Sequence, residues 1–387
     1  MASKGVQNAK REIFYILKRL DKIMKRIKMG LSLVRSSLLA ELTLKTKRNF
    51  AKPTFLKFSP TYRCDSRCIM CDSWRMKPER MAPKNELTLS EIDKLFTEAR
   101  KLGVYFLTIN GGVGEPLMRK DIVDILKIAQ REGFAHGIVT NGLRMDRDLA
   151  VRILSTEPFK LHVSLDGATE ATHDRIRGIK GSFKKTVNSL KTLCEVKKEL
   201  GVGTRIHTDS VIMGINLHEI LDIVKLVESV GAEFLCQPVV IPNHPSILEI
   251  KDELWIEKDK LTELEKIIDE LKKIKRNRGI ILNTYQHLDM IKIYFKNPES
   301  LRFDGVCIYP LISLSVYPHG DVRTCLRKIG NIRDQSLTSI WKSVDVTKQN
   351  FYCKEICITP CYHIHDQIIN FFYEDAILPI LRKLKFY

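Results

Sequence analysis

The chain has 387 residues, 44% of them hydrophobic and 28% charged, a composition that supports a buried core and excludes low-complexity or wholly disordered protein. Its formal net charge is +18, and the excess is concentrated, since residues 1–60 hold fifteen Lys or Arg against three acids. That asymmetry marks the N-terminal end as the part that meets an anionic surface, either a membrane or a nucleic acid.

Residues 9–35 carry Ile13, Leu17, Leu20, Met24, Ile27 and Leu31 at helical spacing, among Lys18, Arg19, Lys22, Lys25, Arg26 and Lys28. The pattern predicts a basic amphipathic helix within an extension over residues 1–50, of the kind that lies on anionic headgroups. The run Ile13–Leu17 is too short for a signal peptide, and no stretch approaches transmembrane length.

Strand-like and helix-like segments then alternate. The strands fall at Thr54–Ser59, Tyr105–Asn110, Gly137–Thr140, Leu161–Leu165, Arg205–Met213 and Glu233–Val240. Helical stretches at Leu89–Leu102, Asp121–Glu132, Phe183–Leu200 and Leu217–Val230 separate them. Six such units predict an α/β fold, a partial (βα)6 barrel of parallel strands over residues 51–245, with its chemistry at the carboxyl ends of the strands. A linker over 246–302 includes a charged helix at about Lys258–Arg278. A small cysteine-rich domain over 303–365 follows, and an apolar, basic-tipped helix over 366–387 closes the chain.

Cysteines are grouped rather than scattered, which in a large chain of this composition indicates metal ligands rather than disulfides. Cys64, Cys68 and Cys71 follow the first strand at the spacing CxxxCxxC. Three thiolates can hold three irons of a cubane and leave the fourth iron open. The alternative, a fragment of a zinc site, normally pairs CxxC with a second, distant pair.

CxxxCxxC after the first strand of a βα series resembles the signature of the radical S-adenosylmethionine superfamily. The loop Asn110-Gly111-Gly112-Val113-Gly114-Glu115-Pro116 resembles that family's glycine–glycine–glutamate motif, expanded by two residues. The resemblance assigns Gly112, Gly114 and Glu115 to the cofactor's amino group. Thr140 and Asn141 end strand three, where the family often contacts the adenosine, and Met70 lies inside the triplet. Ser164 and Asp166 end strand four, and Arg177 follows with Arg175 as its competitor; in similar enzymes the Ser and the Arg hold the cofactor's carboxylate and ribose. Met213 and Asn216 resemble the fifth-strand motif lining the adenine. The mechanism implied is reductive cleavage of S-adenosylmethionine to a 5′-deoxyadenosyl radical, which abstracts hydrogen from an unactivated C–H bond. The electron is expected from an external donor such as a flavodoxin or ferredoxin.

Later in the chain Cys307 is followed by Gly320-x4-Cys325 and then by Cys353, Cys357 and Cys361. This resembles the SPASM/Twitch type of C-terminal auxiliary-cluster domain, with Tyr317–Val322 as its hairpin and Gly320 at the turn. Five cysteines imply one auxiliary 4Fe–4S cluster, on Cys307, Cys325 and Cys361 with Cys357 preferred to Cys353 as the fourth ligand. His363 and His365 are alternative ligands, and a structural zinc site is the competing reading. Cys194 and Cys236 lie in apolar segments and are expected to be buried, unliganded thiols.

The substrate is the least constrained element. The basic helix favours a membrane-lipid hydrocarbon chain, with the protein peripheral on the inner face of the cell membrane and otherwise cytoplasmic. Peptide or protein modification, forming a thioether or carbon–carbon crosslink, is the alternative. RNA modification fits the charge, but the basic segment has few aromatics for base stacking, and nothing points to DNA.

Overall fold

The computed structural model describes residues 30–109, 112–241, 245–301, 305–306, 309–325, 327–344 and 352–353. Residues 9–29 of the helix expected within 9–35, the closing segment 366–387, Cys307, Cys357, Cys361, His363 and His365 lie outside them.

Six strands follow one another in chain order: β1 (Phe55–Phe58), β2 (Phe106–Ile109), β3 (Ala135–Thr140), β4 (Lys160–Ser164), β5 (Arg205–Ile212) and β6 (Glu233–Pro238). All pair in parallel, β1 beside β2 through to β5 beside β6. The C-terminal region joins the same sheet. β8 (Ser313–Val316) runs parallel to β1 on its other side. Next to it lie β9 (Asp321–Thr324) and β10 (Arg327–Asn331), which are antiparallel, so the order is β10-β9-β8-β1-β2-β3-β4-β5-β6. The hairpin expected around Gly320 is β8–β9, with Gly320 at its turn at φ +88°. A short pair, β7 (Gly305–Val306) with β11 (Tyr352–Cys353), stands apart from the large sheet.

Because the six strands keep chain order, right-handed crossovers return every helix to the same face. These helices are α2 (Leu89–Leu102), α3 (Ile122–Arg131), α4 (Arg147–Leu154), α5 (Glu170–Arg177), α6 (Ser182–Leu200) and α7 (Ile220–Ser229). The first begins at a capping box, in which the Thr88 hydroxyl accepts from Glu91 N–H and the Glu91 carboxylate accepts from Thr88 N–H at 2.8 Å. The strands obey period two. Leu56, Phe58, Leu107, Ile109, Ile138, Leu161, Val163, Ile206, Ile212 and Phe234 face the helices and are buried. Each such side chain contributes roughly 1.5–3 kcal/mol on leaving water. The alternate positions, among them Thr108, Val139, Ser164, Asp209 and Gln237, are half-buried and form the inner face.

Residues 30–46 form a helix, α1. Leu33, Ala40 and Thr43 are buried against the fold, and Ser36 hydrogen-bonds to Thr54 just before β1. After β6 come two single-turn helices, α8 (Pro245–Leu248) and α9 (Lys251–Leu254), and then α10 (Leu261–Arg278) and α11 (Tyr285–Lys296). Ile281, between the last two, bridges in parallel to Phe234 on β6. The one-turn α12 (Tyr309–Ile312) leads into β8, and α13 (Leu337–Lys342) buries Trp341, whose indole N–H donates to Ala51 O at 2.9 Å.

Candidate active site

The triplet occupies the loop that leaves the carboxyl end of β1. Two hydrogen bonds dock this loop on the end of α5, Arg67 N–H to Arg177 O and Ile69 N–H to Ile176 O, both 2.9 Å. Gly178 closes α5 at φ +67°, and a Cβ there would stand 2.3 Å from Arg67 O, so only glycine fits this close approach.

Each thiol faces a donor. Cys64 Sγ accepts from Ser66 N–H and Cys71 Sγ from Ser73 N–H, both at 3.4 Å. Arg177 Nη1 points at Cys68 Sγ from 3.7 Å. Burial nonetheless pushes the Cys64 thiol up to about 12, and burial raises Cys68 as well, against the opposing pull of Arg177. Buried thiols that favour the neutral form yet are met by N–H donors fit a site completed by metal, whose charge stabilises the thiolates. Among the described residues no three His, Cys, Asp or Glu side chains converge as a single ion would require. A cluster takes one thiolate per iron, so three cysteines on one loop fit a cluster with one iron left open.

Glu115 ends the loop after β2. Gly114 precedes it at φ +70°, where a Cβ would stand 2.0 Å from Thr61 O, so the backbone turns hard against the start of the cysteine loop. Glu115 N–H also donates to Arg63 O at 2.8 Å. Its carboxylate is 2% exposed and accepts from the Thr140 hydroxyl (2.7 Å), Asn141 N–H (2.7 Å) and Leu117 N–H (3.1 Å). Burial raises it to about 7 against those donors. Asn141 reaches back to the triplet, its amide donating to Asp65 at 2.7 Å and to Ser66 at 2.9 Å. The loops after β1, β2 and β3 are thus joined through polar side chains at one end of the sheet.

At the end of β4, Asp166 is fully buried and pairs with Arg177 at 2.5 Å, which extends the chain Asp166–Arg177–Cys68. Burial raises the Asp166 carboxyl while Arg177 pulls it down. Of the two competing arginines it is Arg177 that lies at the triplet; Arg175 pairs with Glu253 on the surface. Met213 and Asn216 are both fully buried. The Asn216 amide donates to Asp166 O and Val211 O at 2.8 Å, and its oxygen accepts from Met213 N–H at 2.8 Å. Asn216 therefore holds the β4 and β5 ends together with its polar atoms already engaged. Met70 is half-buried in the triplet loop, Ser164 half-buried on the inner face, and Gly112 lies in open space at φ +118°.

Sequence reading gave no role to Asp65 and Ser66, which tie Asn141 to the cysteine loop, or to His173, whose Nδ1 accepts from Asp166 N–H at 3.2 Å. Their position between or after the motif residues carried no separate signal. Of the second cysteine group, Cys325 lies in the turn between β9 and β10, exposed and at φ +53°. Cys353 is in β11. Cys194 and Cys236 are buried, as expected.

Residues 58–227 match the family model of the Radical SAM superfamily, and residues 307–366 match that of SPASM, an iron–sulfur cluster-binding domain. The AdoMet-dependent heme synthase of Methanosarcina barkeri is 27% identical over 46% of this chain and 48% of its own length. Mycofactocin maturase MftC of Mycobacterium tuberculosis is 31% identical over 38% of this chain and 36% of its own. The chain thus spans about half the length of the first relative and little more than a third of the second. Streptococcus suis SuiB, in a crystal structure with the precursor peptide SuiA, superposes with a TM-score of 0.59 at 15% identity, over 80% of this chain and 69% of SuiB. That likeness is one of fold. With the triplet, the ordered strand ends and both family models in agreement, this chain carries a radical S-adenosylmethionine domain over residues 58–227 and a SPASM domain over residues 307–366.

Proposed function

We propose that this chain cleaves S-adenosylmethionine reductively and directs the resulting carbon radical at a C–H bond of a polar substrate, a peptide or a cofactor precursor, lying on the inner face of the sheet. The observation that carries the reading is the meeting of Cys64, Cys68, Cys71, Glu115, Asn141 and the Asp166–Arg177 pair at one end of that face. Bound there, a 4Fe–4S cluster would supply the electron and S-adenosylmethionine the 5′-deoxyadenosyl group. Glu115 is the acceptor for an amino group, held by Thr140 and Asn141 so that it needs no reorganisation. Arg177 steadies the Cys68 sulfur, and Asp166 fixes the guanidinium that does so. The inner face mixes Thr108, Ser164, Asp209 and Gln237 with Val139, Val211 and Leu235. A bare hydrocarbon would leave those polar groups unanswered. The names of the two relatives, a maturase and a heme synthase, support a polar substrate too.

The test is anaerobic reconstitution. With both cluster sites filled the protein should carry about eight irons per chain and form 5′-deoxyadenosine under a strong reductant. Cys68→Ala should lose both the triplet's share of iron and that product. An iron-loaded wild type that forms no 5′-deoxyadenosine overturns the reading. Untargeted mass spectrometry of peptides and lipids from cells with and without the protein then gives the substrate class.

A lipid substrate met at a membrane is the second reading. One observation favours it: α1 exposes Leu31, Val34, Leu38 and Leu42 on the side opposite its buried face.

A further inference from the structure

The inner face carries a second set of ionisable groups that the site above does not use. Strands β4 and β5 place them in direct register, Lys160 opposite Arg205, His162 opposite His207, and Ser164 opposite Asp209. Successive rungs are roughly 6.6 Å apart, two strand residues each. The ladder therefore climbs from the amino end of the sheet toward Asp166 and Arg177.

The middle rung is unusual. His162 Nδ1 and His207 Nε2 are 2.8 Å apart, and the rings are 6% and 3% exposed. Burial keeps both neutral, helped by the positive charge of Lys160. A neutral imidazole has one N–H and one lone pair. Whichever ring donates to the other, the pair retains one N–H and one lone pair at its outer nitrogens, His162 Nε2 and His207 Nδ1. Neither has a hydrogen-bond partner, and neither does Asp209 Oδ1 on the rung above.

The lowest rung is built as deliberately. Lys160 is in register with Gly137 on β3, and a Cβ at 137 would stand 2.9 Å from Lys160 Cγ. Glycine there leaves room for the lysine stem to lie across the sheet. Arg205 is matched by Glu233 at 2.9 Å, whereas Lys160 makes no ion pair among the described residues. Burial works against its charge, the Asp209 carboxylate supports it, and Arg205 and Lys57 act on it as like charges, so an anion brought beside it would stabilise the ammonium.

We propose that Lys160, His162 and His207 form a subsite for a carboxylate of the substrate, a proposal that rests on the reading above that the substrate lies on this face. One unmatched ammonium and one imidazole N–H offer a single positive charge and a directed donor, which a carboxylate satisfies with one charge and two acceptor oxygens. A phosphate dianion would bring a second charge with nothing to answer it. An amine would meet Lys160, Arg205 and Lys57 as like charges. A hydrocarbon would leave the ammonium and both outer nitrogens unpaired. The rung above, Ser164 and Asp209, is half-buried and lies between this pair and the cofactor end.

The test uses full-length, cluster-loaded protein with 15N-labelled histidine, titrated separately with butyrate, butylamine and inorganic phosphate. In the wild type the two nitrogens sharing the N–H···N bond identify themselves by their mutual coupling, and His162→Gln removes that signal as a control. Butyrate should move these signals saturably, and Lys160→Met should weaken its binding about tenfold or more, as for loss of a charged hydrogen bond. Signals that butyrate leaves unmoved, or that butylamine or phosphate move as well as butyrate does, overturn the subsite; so does undiminished binding in Lys160→Met. The wild-type result decides the matter even if a variant does not fold. The same wild-type sample is assayed for 5′-deoxyadenosine. Its formation with unmoved signals overturns the subsite alone, whereas moved signals without it support the subsite and overturn the proposed chemistry.

Discussion

Glu115 is a carboxyl group with three hydrogen-bond donors and, among the described residues, no ion pair. Burial outweighs the donors and leaves it near 7, with the negative charge of Asp65 adding to the rise. The folded value lies above the unfolded one, about 4.3, so the empty site favours the protonated form and loses stability as pH rises between the two. A cationic amino group reverses this balance, because it requires the carboxylate. Binding of S-adenosylmethionine should therefore release a proton below pH 7, and its affinity should fall by up to about tenfold per pH unit on the acid side. Above 7 this dependence should vanish. Calorimetric titration of S-adenosylmethionine into cluster-loaded protein at about pH 6 and about pH 8 checks it. Equal affinities would mean that Glu115 does not face the amino group.

The cysteine loop owes its shape to α5, an element that sequence reading did not single out. With only eight residues, EATHDRIR, four of them charged and one of those, Arg177, buried, it gives a weak periodic signal. The triplet and the strand ends were legible because each is local: a spacing of eight residues, or a turn directly after an apolar run. The partners that complete them are not. Arg177 meets Cys68 across 109 residues, and His162 meets His207 across 45, through a register that no local pattern encodes. The second cysteine group was legible as chemistry, but not that β8 would extend the main sheet beside β1. The docking of α5 also gives an element-scale prediction. Gly178→Ala forces a Cβ to within 2.3 Å of Arg67 O at a positive φ. It should cost about 1–3 kcal/mol of stability. It should also lower the iron bound at the triplet, because the loop loses its seat. Iron content and thermal midpoint, measured together against Gly181→Ala, check this. Gly181 has a similar φ of +79° but open space around its Cβ, so its penalty should stay in stability. Equal iron loss in both variants would show that the docking contact is not what holds the loop.

At the scale of the whole molecule the exposed apolar side of α1 follows directly, along the chain, on its most positively charged stretch. No described helix is long and apolar enough to cross a membrane. Yet α1 is apolar on two sides: Leu33 and Ala40 are 3% and 0% exposed against the fold, while Leu31 and Leu38 are 64% and 62% exposed on the other side. Leu31 is the last residue of the stripe expected from the sequence, and Val34, Leu38 and Leu42 continue its spacing. The fold thus anchors the base of a segment whose charge is strongly positive. Two forces would then add at an anionic bilayer, burial of the stripe and attraction of the lysines and arginines to the headgroups. Each leucine moved out of water is worth roughly 1.5–3 kcal/mol. Replacing both Leu31 and Leu38 by Glu should therefore reduce sedimentation with phosphatidylglycerol vesicles by about a hundredfold or more. Their exposure means the thermal midpoint should hardly move. Salt should weaken the wild type's binding without abolishing it, since screening removes only the electrostatic share. Binding that survives both substitutions but disappears in salt would leave a purely electrostatic contact, and with it the second reading of the substrate would lose its support.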